Sequence, residues 1–189
     1  MGHQREKLIS LAKRLLNHNL NGSTDQADQI MIKKVNDYID DDIISSEVSK
    51  IFYDHPVPIA LSAELKKKNS YKATKAIDTP LLITRGEDGV VRTFINICKH
   101  RGAPVCPEGR GEKSKFNCTY HGWMYDNKGS LINIFKSDTF GDINTKNIKL
   151  TELFCEEKSG FIWACLNPDV KYNLSDWMNE FETELDDIG

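Results

Sequence analysis

The sequence lacks a long hydrophobic run and a strong net charge. No segment approaches the roughly 20 consecutive apolar residues that a membrane-spanning helix needs, and the first residues, MGHQREKLIS, contain no uninterrupted apolar region of a signal peptide. A net charge of -3 gives no general basic surface for nucleic acid. We therefore expect a cytoplasmic protein without a membrane or nucleic-acid partner. Its 189 residues suffice for one principal domain with helical additions.

The cysteine count argues against a fold built on disulfides. The chain has five cysteines, an odd number, and no recognisable secretory signal at its start, which favours metal binding or simple burial. Cys106, Cys155 and Cys165 are interpreted as small buried hydrophobic residues. Cys98 and Cys118 differ, because each has a histidine two or three residues further along the chain.

Hydrophobic periodicity predicts helices near both ends of the chain. An amphipathic helix is predicted at residues 4–19, a second at about residues 25–40 and a third, short one after Ser46. Residues 175–188 are also predicted to be helical, with an apolar stripe that should pack against another surface. The apolar faces of the second and last helices are Ile30, Met31, Val35 and Tyr38, and Trp177, Phe181 and Leu185.

Between these helices, short β-branched segments separated by turn residues predict a mainly β domain. The predicted hairpins lie at residues 81–85 with 90–97, 123–126 with 130–135, and 148–156 with 161–166. A stretch containing glycine joins the two segments of each hairpin, and glycine readily adopts the left-handed conformation of a tight turn.

Two short segments each combine one cysteine with one histidine. One residue separates Cys98 from His100, and two residues separate Cys118 from His121. Side chains this close in sequence can point from one loop at one object, which could be a zinc ion or a 2Fe-2S cluster. Zinc fingers usually group cysteine with cysteine and histidine with histidine. One of each per loop better suits a cluster whose two irons take different ligands.

A glycine follows each predicted histidine ligand. Gly102 comes two residues after His100, and Gly122 comes directly after His121. These glycines would let backbone N–H groups approach the cluster sulfurs, which would raise the reduction potential. Neutral imidazoles in place of two thiolates would also raise the reduction potential. Electron uptake should be coupled to protonation of a histidine ligand.

At these residues the sequence resembles the Rieske domain of Rieske non-heme iron oxygenases, the α subunits of ring-hydroxylating dioxygenases and related monooxygenases. The matching segments are CKHRGAPVC at residues 98–106, FNCTYHGWMYD at residues 116–126 and GSL at residues 129–131, with a weaker match over residues 46–168. The resemblance implies small antiparallel sheets whose hairpin loops bind a Rieske-type 2Fe-2S cluster, with Trp123 lying near it. The implied ligands are Cys98, His100, Cys118 and His121.

Respiratory Rieske proteins carry an additional cysteine in each loop and join the two loops by a disulfide. Here Tyr120 precedes the second histidine, and the first loop has no further cysteine before Cys106. We therefore expect no disulfide and a lower reduction potential than in the respiratory proteins.

The sequence departs from complete oxygenase α subunits, which are much longer and hold a mononuclear iron bound by two histidines and a carboxylate. No histidine follows His121, and the earlier ones outside the motif lack a suitable spacing, so that iron site is not expected in this chain. We expect a helical extension at residues 1–50, a Rieske domain at residues 51–170, and at residues 171–189 a helix that begins the catalytic domain of a longer subunit. Whether this chain is itself an enzyme is left open.

The resemblance also implies partners. Electrons would arrive from a reductase or ferredoxin and pass to a mononuclear-iron oxygenase domain, often in a neighbouring subunit of a homotrimer. Residues 96–125 are basic and include Lys99 and Arg101, which could meet an acidic partner, whereas residues 151–189 are acidic. Ordinary solvated surface is the favoured interpretation of both stretches. A stand-alone Rieske-type ferredoxin and a structural zinc-binding module remain alternatives, and the substrate cannot be inferred.

Overall fold

The amino-terminal part of the chain is less helical than its sequence predicts. A computed structural model describes residues 2–187 and divides into two compact units after residue 40. Helix α1, Gly2–Asn21, confirms the first predicted helix. The second prediction is wrong, because residues 23–34 have no regular structure and only α2, Asn36–Ile39, is helical. Its predicted apolar face is exposed, and a helix gains most of its stability from packing such a face.

The third helix begins earlier than predicted. Helix α3, Asp41–Glu47, starts five residues before Ser46 and continues as a π-helical turn, Val48–Phe52. Asp41 and Asp42 lie in its first turn, where negative charge interacts favourably with the helix dipole. The helical segment ends before Pro56, whose ring is incompatible with a helix interior.

Three small antiparallel sheets make up most of the remaining described structure, which confirms the mainly β fold. Their strand orders are β1-β11-β10, β5-β2-β3-β4-β9 and β6-β7-β8. The strands are β1 Val57–Leu61, β2 Ser70–Ala76, β3 Thr79–Arg85, β4 Val91–Ile95, β5 Gly109–Glu112, β6 Lys115–Asn117, β7 Trp123–Asp126, β8 Leu131–Ile134, β9 Glu152–Leu153, β10 Cys155–Lys158 and β11 Phe161–Ala164.

The five-stranded sheet lies between the other two sheets. In β3, Leu82 packs with the apolar residues of the β6-β7-β8 sheet, whereas Ile83 packs with those of the β1-β11-β10 sheet. Successive side chains of a strand point to opposite faces, so this central strand is buried on both sides. That burial explains why β3 is a nearly continuous apolar run.

Two of the predicted hairpins are confirmed and the third needs correction. Strands β3 and β4 pair as predicted, as do β7 and β8. The predicted strand at residues 148–156 is split instead, because β9 pairs with β4 while β10 pairs with β11 in a different sheet. The chain therefore changes sheets at Phe154.

The predicted carboxy-terminal helix is also broken in two. Helix α4, Leu174–Met178, and helix α5, Phe181–Asp186, are separated at Asn179, whose φ of +48° lies in the left-handed region. Leu174 and Met178 are the buried residues, packed against Trp163, and the predicted stripe is exposed at Trp177 and Phe181. Ile188 lies outside the described residues. None of the helices within residues 2–187 has the length and apolar character needed to cross a membrane.

Candidate metal centre

Two loops at one end of the β6-β7-β8 sheet adopt the same turn. The first ligand loop follows β4, and the second joins β6 to β7. In the first, the Gly102 N–H donates to the Cys98 carbonyl at 3.0 Å, and in the second the Gly122 N–H donates to the Cys118 carbonyl at 2.9 Å. Both glycines have positive φ values, +78° and +69°, which only glycine adopts without strain. The glycines thus close the turns that carry the predicted ligands.

The two predicted cysteine ligands are buried in one apolar cluster, which also contains Trp123 and Tyr125. Burial raises the pKa of the Cys118 thiol, and the neighbouring Cys98 sulfur raises it further. The backbone N–H groups of Tyr120 and His121 bond to the Cys118 sulfur and act in the opposite direction. Two adjacent buried thiols are poor acids by themselves, so a bound cation is what would favour their ionisation.

The two predicted histidine ligands also lie side by side. The ring centroids of His100 and His121 are 4.6 Å apart at an interplanar angle of 78°. His100 stacks on Trp123 at 5.1 Å, and Phe140 approaches its edge at 5.3 Å. Burial lowers the pKa of His100, with smaller contributions from His121 and Arg101. The neutral imidazole, the form that binds metals, is therefore favoured.

One ring nitrogen of this pair is unsatisfied. The Nδ1 atom of His100 is buried and has no hydrogen-bond partner. A buried nitrogen without a partner is costly, and metal coordination would satisfy it. No three His, Cys, Asp or Glu side chains within the described part of the chain surround one metal position. The donors instead form a thiol pair and an imidazole pair, and this donor set fits a Rieske-type cluster, in which each iron takes one kind of ligand.

Tyr125 belongs to the site although its sequence position suggested only packing. Its side chain is fully buried, and its hydroxyl lies 3.4 Å from the Cys98 sulfur and accepts a hydrogen bond from the Lys99 N–H at 3.0 Å. Either the hydroxyl or the thiol can donate in this contact, and once Cys98 is ionised the hydroxyl is the donor, because a thiolate has no proton to give. Burial raises the pKa of Tyr125, and the Cys98 sulfur adds to this effect, so the donor stays protonated.

Asn96 is the second residue that sequence reasoning missed. Its Oδ1 accepts hydrogen bonds from the N–H groups of Val105 and Cys106 at 3.1 and 3.0 Å, and its Nδ2 donates to the Cys106 carbonyl at 2.6 Å. These bonds tie the start of the first ligand loop to its end. The sequence does contain one signal for this role of Asn96. It is a polar residue two positions before the predicted ligand Cys98, at the end of an otherwise apolar strand.

The remaining cysteines and the basic residues are placed largely as predicted. All five cysteines are free, and Cys106 and Cys165 are buried, whereas Cys155 is only partly buried. Lys99 and Arg101 are exposed beside the first loop. The Lys99 ammonium donates to the Thr151 hydroxyl at 2.6 Å.

Comparisons with known proteins agree with this geometry. Residues 55–147 match the family model of the Rieske [2Fe-2S] domain. The chain is 33% identical over 155 residues to the methanesulfonate monooxygenase hydroxylase subunit alpha of Methylosulfonomonas methylovora, covering 76% of this chain and 37% of that subunit. It is 36% identical over 119 residues to the anthranilate 1,2-dioxygenase large subunit of Burkholderia cepacia, covering 59% of this chain and 28% of that subunit. The chain thus covers at most 37% of the length of either relative.

Solved structures show the same fold. The quaternary ammonium Rieske monooxygenase CntA in complex with L-carnitine superposes with a TM-score of 0.73 at 28% identity, over 80% of this chain and 43% of that one. Naphthalene 1,2-dioxygenase from Rhodococcus sp. also gives 0.73 at 28% identity, over 79% of this chain and 34% of that one. The cysteine and histidine pairs lie within residues 55–147, which match the family model. The chain therefore contains a Rieske 2Fe-2S domain that is homologous to the N-terminal region of Rieske oxygenase α subunits.

Proposed function

We propose that this chain relays single electrons from a reductase or ferredoxin to a mononuclear non-heme iron of a ring-hydroxylating-type oxygenase, which lies outside these residues. Cys98 and Cys118 would hold one iron of a Rieske-type 2Fe-2S cluster, and His100 and His121 the other. When bound, such a cluster accepts and releases one electron at a time.

One observation carries this proposal: two loops with the same turn present a buried thiol pair and an imidazole pair. The unpartnered Nδ1 of His100 supports a metal at the imidazole pair, because this buried nitrogen otherwise has no hydrogen bond. A single structural zinc ion is less well supported, since no three potential ligands of the described residues surround one position.

The surrounding residues have separable tasks. With Cys98 ionised as a cluster ligand, Tyr125 would donate its hydroxyl proton to the Cys98 sulfur, and the N–H groups of Tyr120 and His121 donate to the Cys118 sulfur. Such hydrogen bonds stabilise added negative charge on sulfur. Trp123 and Phe140 cover the His100 ring and exclude water from it, which favours its neutral form.

The solvent side of the site suits a protein partner. His121 is only partly buried, and Arg101 and Tyr120 are exposed beside the ligand pairs. The structure of a similar quaternary ammonium Rieske monooxygenase gives insight into inter-subunit electron transfer. By analogy, we propose that the acceptor iron belongs to an oxygenase domain or neighbouring subunit, with a homotrimer as the expected assembly of an intact subunit.

Metal and sulfide analysis of anaerobically purified protein tests the cofactor. We expect about two irons and two acid-labile sulfides per chain, and an EPR signal that appears on reduction with dithionite. Cys118→Ser should lose most of the iron and the visible absorption, because serine is a poor ligand for this cluster. Cys165→Ser is the matched control, since Cys165 is equally buried but only donates to the Tyr53 carbonyl, which a hydroxyl can also do.

Two outcomes would contradict the proposal. A colourless protein with one zinc per chain and no redox activity would establish the zinc-binding module. An unchanged EPR signal in Cys118→Ser would refute the ligand assignment. The electron-transfer step itself is tested separately, by mixing the reduced protein with an oxygenase component and measuring single-turnover oxidation. If the reduced protein exchanges electrons rapidly with soluble redox proteins but not with an oxygenase component, a stand-alone ferredoxin is favoured.

A further inference from the structure

A cavity of about 600 Å³ lies at the edge of the five-stranded sheet where β5 pairs with β2. Residues within and directly after the 3₁₀ turn Ser62–Leu65 also line it. The charged residues of the lining are Glu64, Lys66, Lys67, Arg110 and Glu112. The cavity is distinct from the candidate metal centre, because none of the four predicted cluster ligands lines it.

Both carboxylates of this cavity are already paired with a lysine. Glu112 accepts a hydrogen bond from the Lys67 ammonium at 2.8 Å. The two Glu64 oxygens accept hydrogen bonds from the Lys72 ammonium at 2.9 and 2.8 Å, and one of them also accepts from the Leu61 N–H at 3.0 Å. Since each negative charge has its own ammonium partner, these carboxylates repel an incoming anion much less than free carboxylates would.

Two further cations of the cavity have no such partner. Lys66 and Arg110 are exposed, and neither makes a hydrogen bond or an ion pair with a residue that the structure describes. Arg110 lies directly opposite Lys72 in the β2–β5 register, and like charges at opposite positions of a sheet are destabilising. The hydrogen bond from Lys72 lowers the pKa of Glu64, and the charge of Arg110 lowers it further, so one carboxylate serves both cations.

We infer that this cavity binds a phosphate group, as inorganic phosphate or as part of a small phosphomonoester. The two unpaired cations, Lys66 and Arg110, match the two negative charges of such a group, whereas a carboxylate would compensate only one of them. A guanidinium can donate two parallel hydrogen bonds to phosphate oxygens, and an ammonium adds a point charge. The volume lies in the range of small-molecule sites. The inference does not depend on the redox function proposed above.

Calorimetric titration of the dialysed full-length holoprotein with inorganic phosphate tests this site, with chloride keeping the ionic strength constant. We expect one site per chain with a dissociation constant below about 1 mM. Arg110→Gln and Lys66→Gln should each weaken binding at least about tenfold, because each removes a charged donor. Lys115→Gln is the matched control, since Lys115 is an exposed lysine of β6 outside the cavity lining. Circular dichroism and the visible spectrum should be unchanged in all three variants.

A parallel titration with ribose 5-phosphate, a small phosphomonoester, distinguishes the two sources of the phosphate group. Binding about tenfold tighter than that of inorganic phosphate would support an ester ligand, and equal or weaker binding would support free phosphate. Absence of binding by both compounds would overturn the inference. It would also be overturned if Lys115→Gln weakened binding as much as Arg110→Gln, because the attraction would then be a general effect of charge and not of this cavity.

Discussion

At the scale of single residues, the site depends on side chains that are not themselves predicted ligands. Tyr125 and Asn96 are buried polar residues whose hydrogen bonds end on a ligand or on its loop. Buried polar groups of this kind cost free energy unless they are satisfied. Their satisfaction here fixes the first ligand loop in one conformation, and it makes both residues sensitive probes of the site.

Tyr125→Phe should lower the reduction potential while leaving the cluster bound. The change removes one O–H donor to the Cys98 sulfur, and a charge-assisted hydrogen bond of ~1.4 kcal/mol corresponds to about 60 mV for one electron. A spectroelectrochemical titration measures the shift. Tyr53→Phe is the control, because its hydroxyl bonds to Thr79 in a different cluster. An unchanged potential in Tyr125→Phe would show that the hydroxyl proton is not directed at the sulfur.

Asn96→Ala should destabilise the protein and speed the loss of iron. Three backbone groups of Val105 and Cys106 would be left buried without partners, at a total cost of about 3 kcal/mol. Urea unfolding measures the stability, and transfer of iron to a chelator measures the release rate. Asn133→Ala, at an exposed position of β8, should change neither quantity. Equal release rates in both variants would argue against a role for Asn96 in holding the ligand loop.

At the scale of elements, the β7–β8 hairpin docks on the central sheet through a glycine. Gly129 has a φ of +77°, and a Cβ at this position would lie 2.5 Å from the Phe94 ring. Its carbonyl accepts a hydrogen bond from the Leu150 N–H at 2.8 Å. The second ligand loop opens this hairpin, so the docking positions the loop relative to the first one.

Gly129→Ala should be more destabilising than Gly89→Ala by about 2 kcal/mol. Gly89 has nearly the same φ, +79°, but a Cβ there would have nothing within 4 Å. Both changes therefore carry the strain of a left-handed alanine, about 1 kcal/mol, and only Gly129→Ala adds the overlap with Phe94. Chemical denaturation of the two variants measures the difference. If the two variants were equally stable, the hairpin would be able to move away from the sheet without a loss of folding free energy.

The Glu64–Lys72 ion pair should make stability depend on pH in the acid range. The hydrogen bond from Lys72 holds the pKa of Glu64 below its ordinary value of 4.5. Since the folded-state pKa is lowered, the stabilisation is present above pH 4.5 and is lost as the pH falls through the folded-state value. Glu64→Gln should thus cost about 0.5 to 1 kcal/mol of stability near pH 7 and progressively less as the pH falls below 4.5. Denaturation at a series of pH values from 7 downward checks this, and exposed Glu108→Gln should show no such trend.

At the scale of the whole molecule, the sequence was most informative where structure is local. The cysteine–histidine spacings, the glycine turns and the hairpins of β3–β4 and β7–β8 involve neighbours in the chain, and the structure has the loops and hairpins where they were predicted. The four ligand assignments themselves remain predictions. Local patterns could not reveal that residues 148–156 divide between two sheets, because that depends on which edges are free.

Where structure depends on tertiary contacts, the sequence-based predictions missed a feature or were wrong. Tyr125 meets Cys98 only because β7 packs beneath the first ligand loop, and no pattern in the sequence encodes this contact. Residues 25–40 have helical periodicity, but their apolar side chains are exposed and most of the segment is not helical. The left-handed conformation of Asn179 breaks a helix that periodicity predicts to be continuous.

Electron uptake from an acidic donor should depend on ionic strength because the rim of the site is basic. Reduction by an acidic 2Fe-2S ferredoxin, followed by stopped flow, should slow about tenfold between roughly 20 and 500 mM salt, since salt screens long-range attraction. The Arg101→Glu variant should be reduced slowly at low salt, at a rate nearly independent of salt, and its visible spectrum should be unchanged. Lys128→Glu is the control, because Lys128 lies in the turn at the opposite end of β7 from the second ligand loop. A wild-type rate that is independent of salt would exclude electrostatic docking beside Arg101 and favour the interpretation of these charges as ordinary solvated surface.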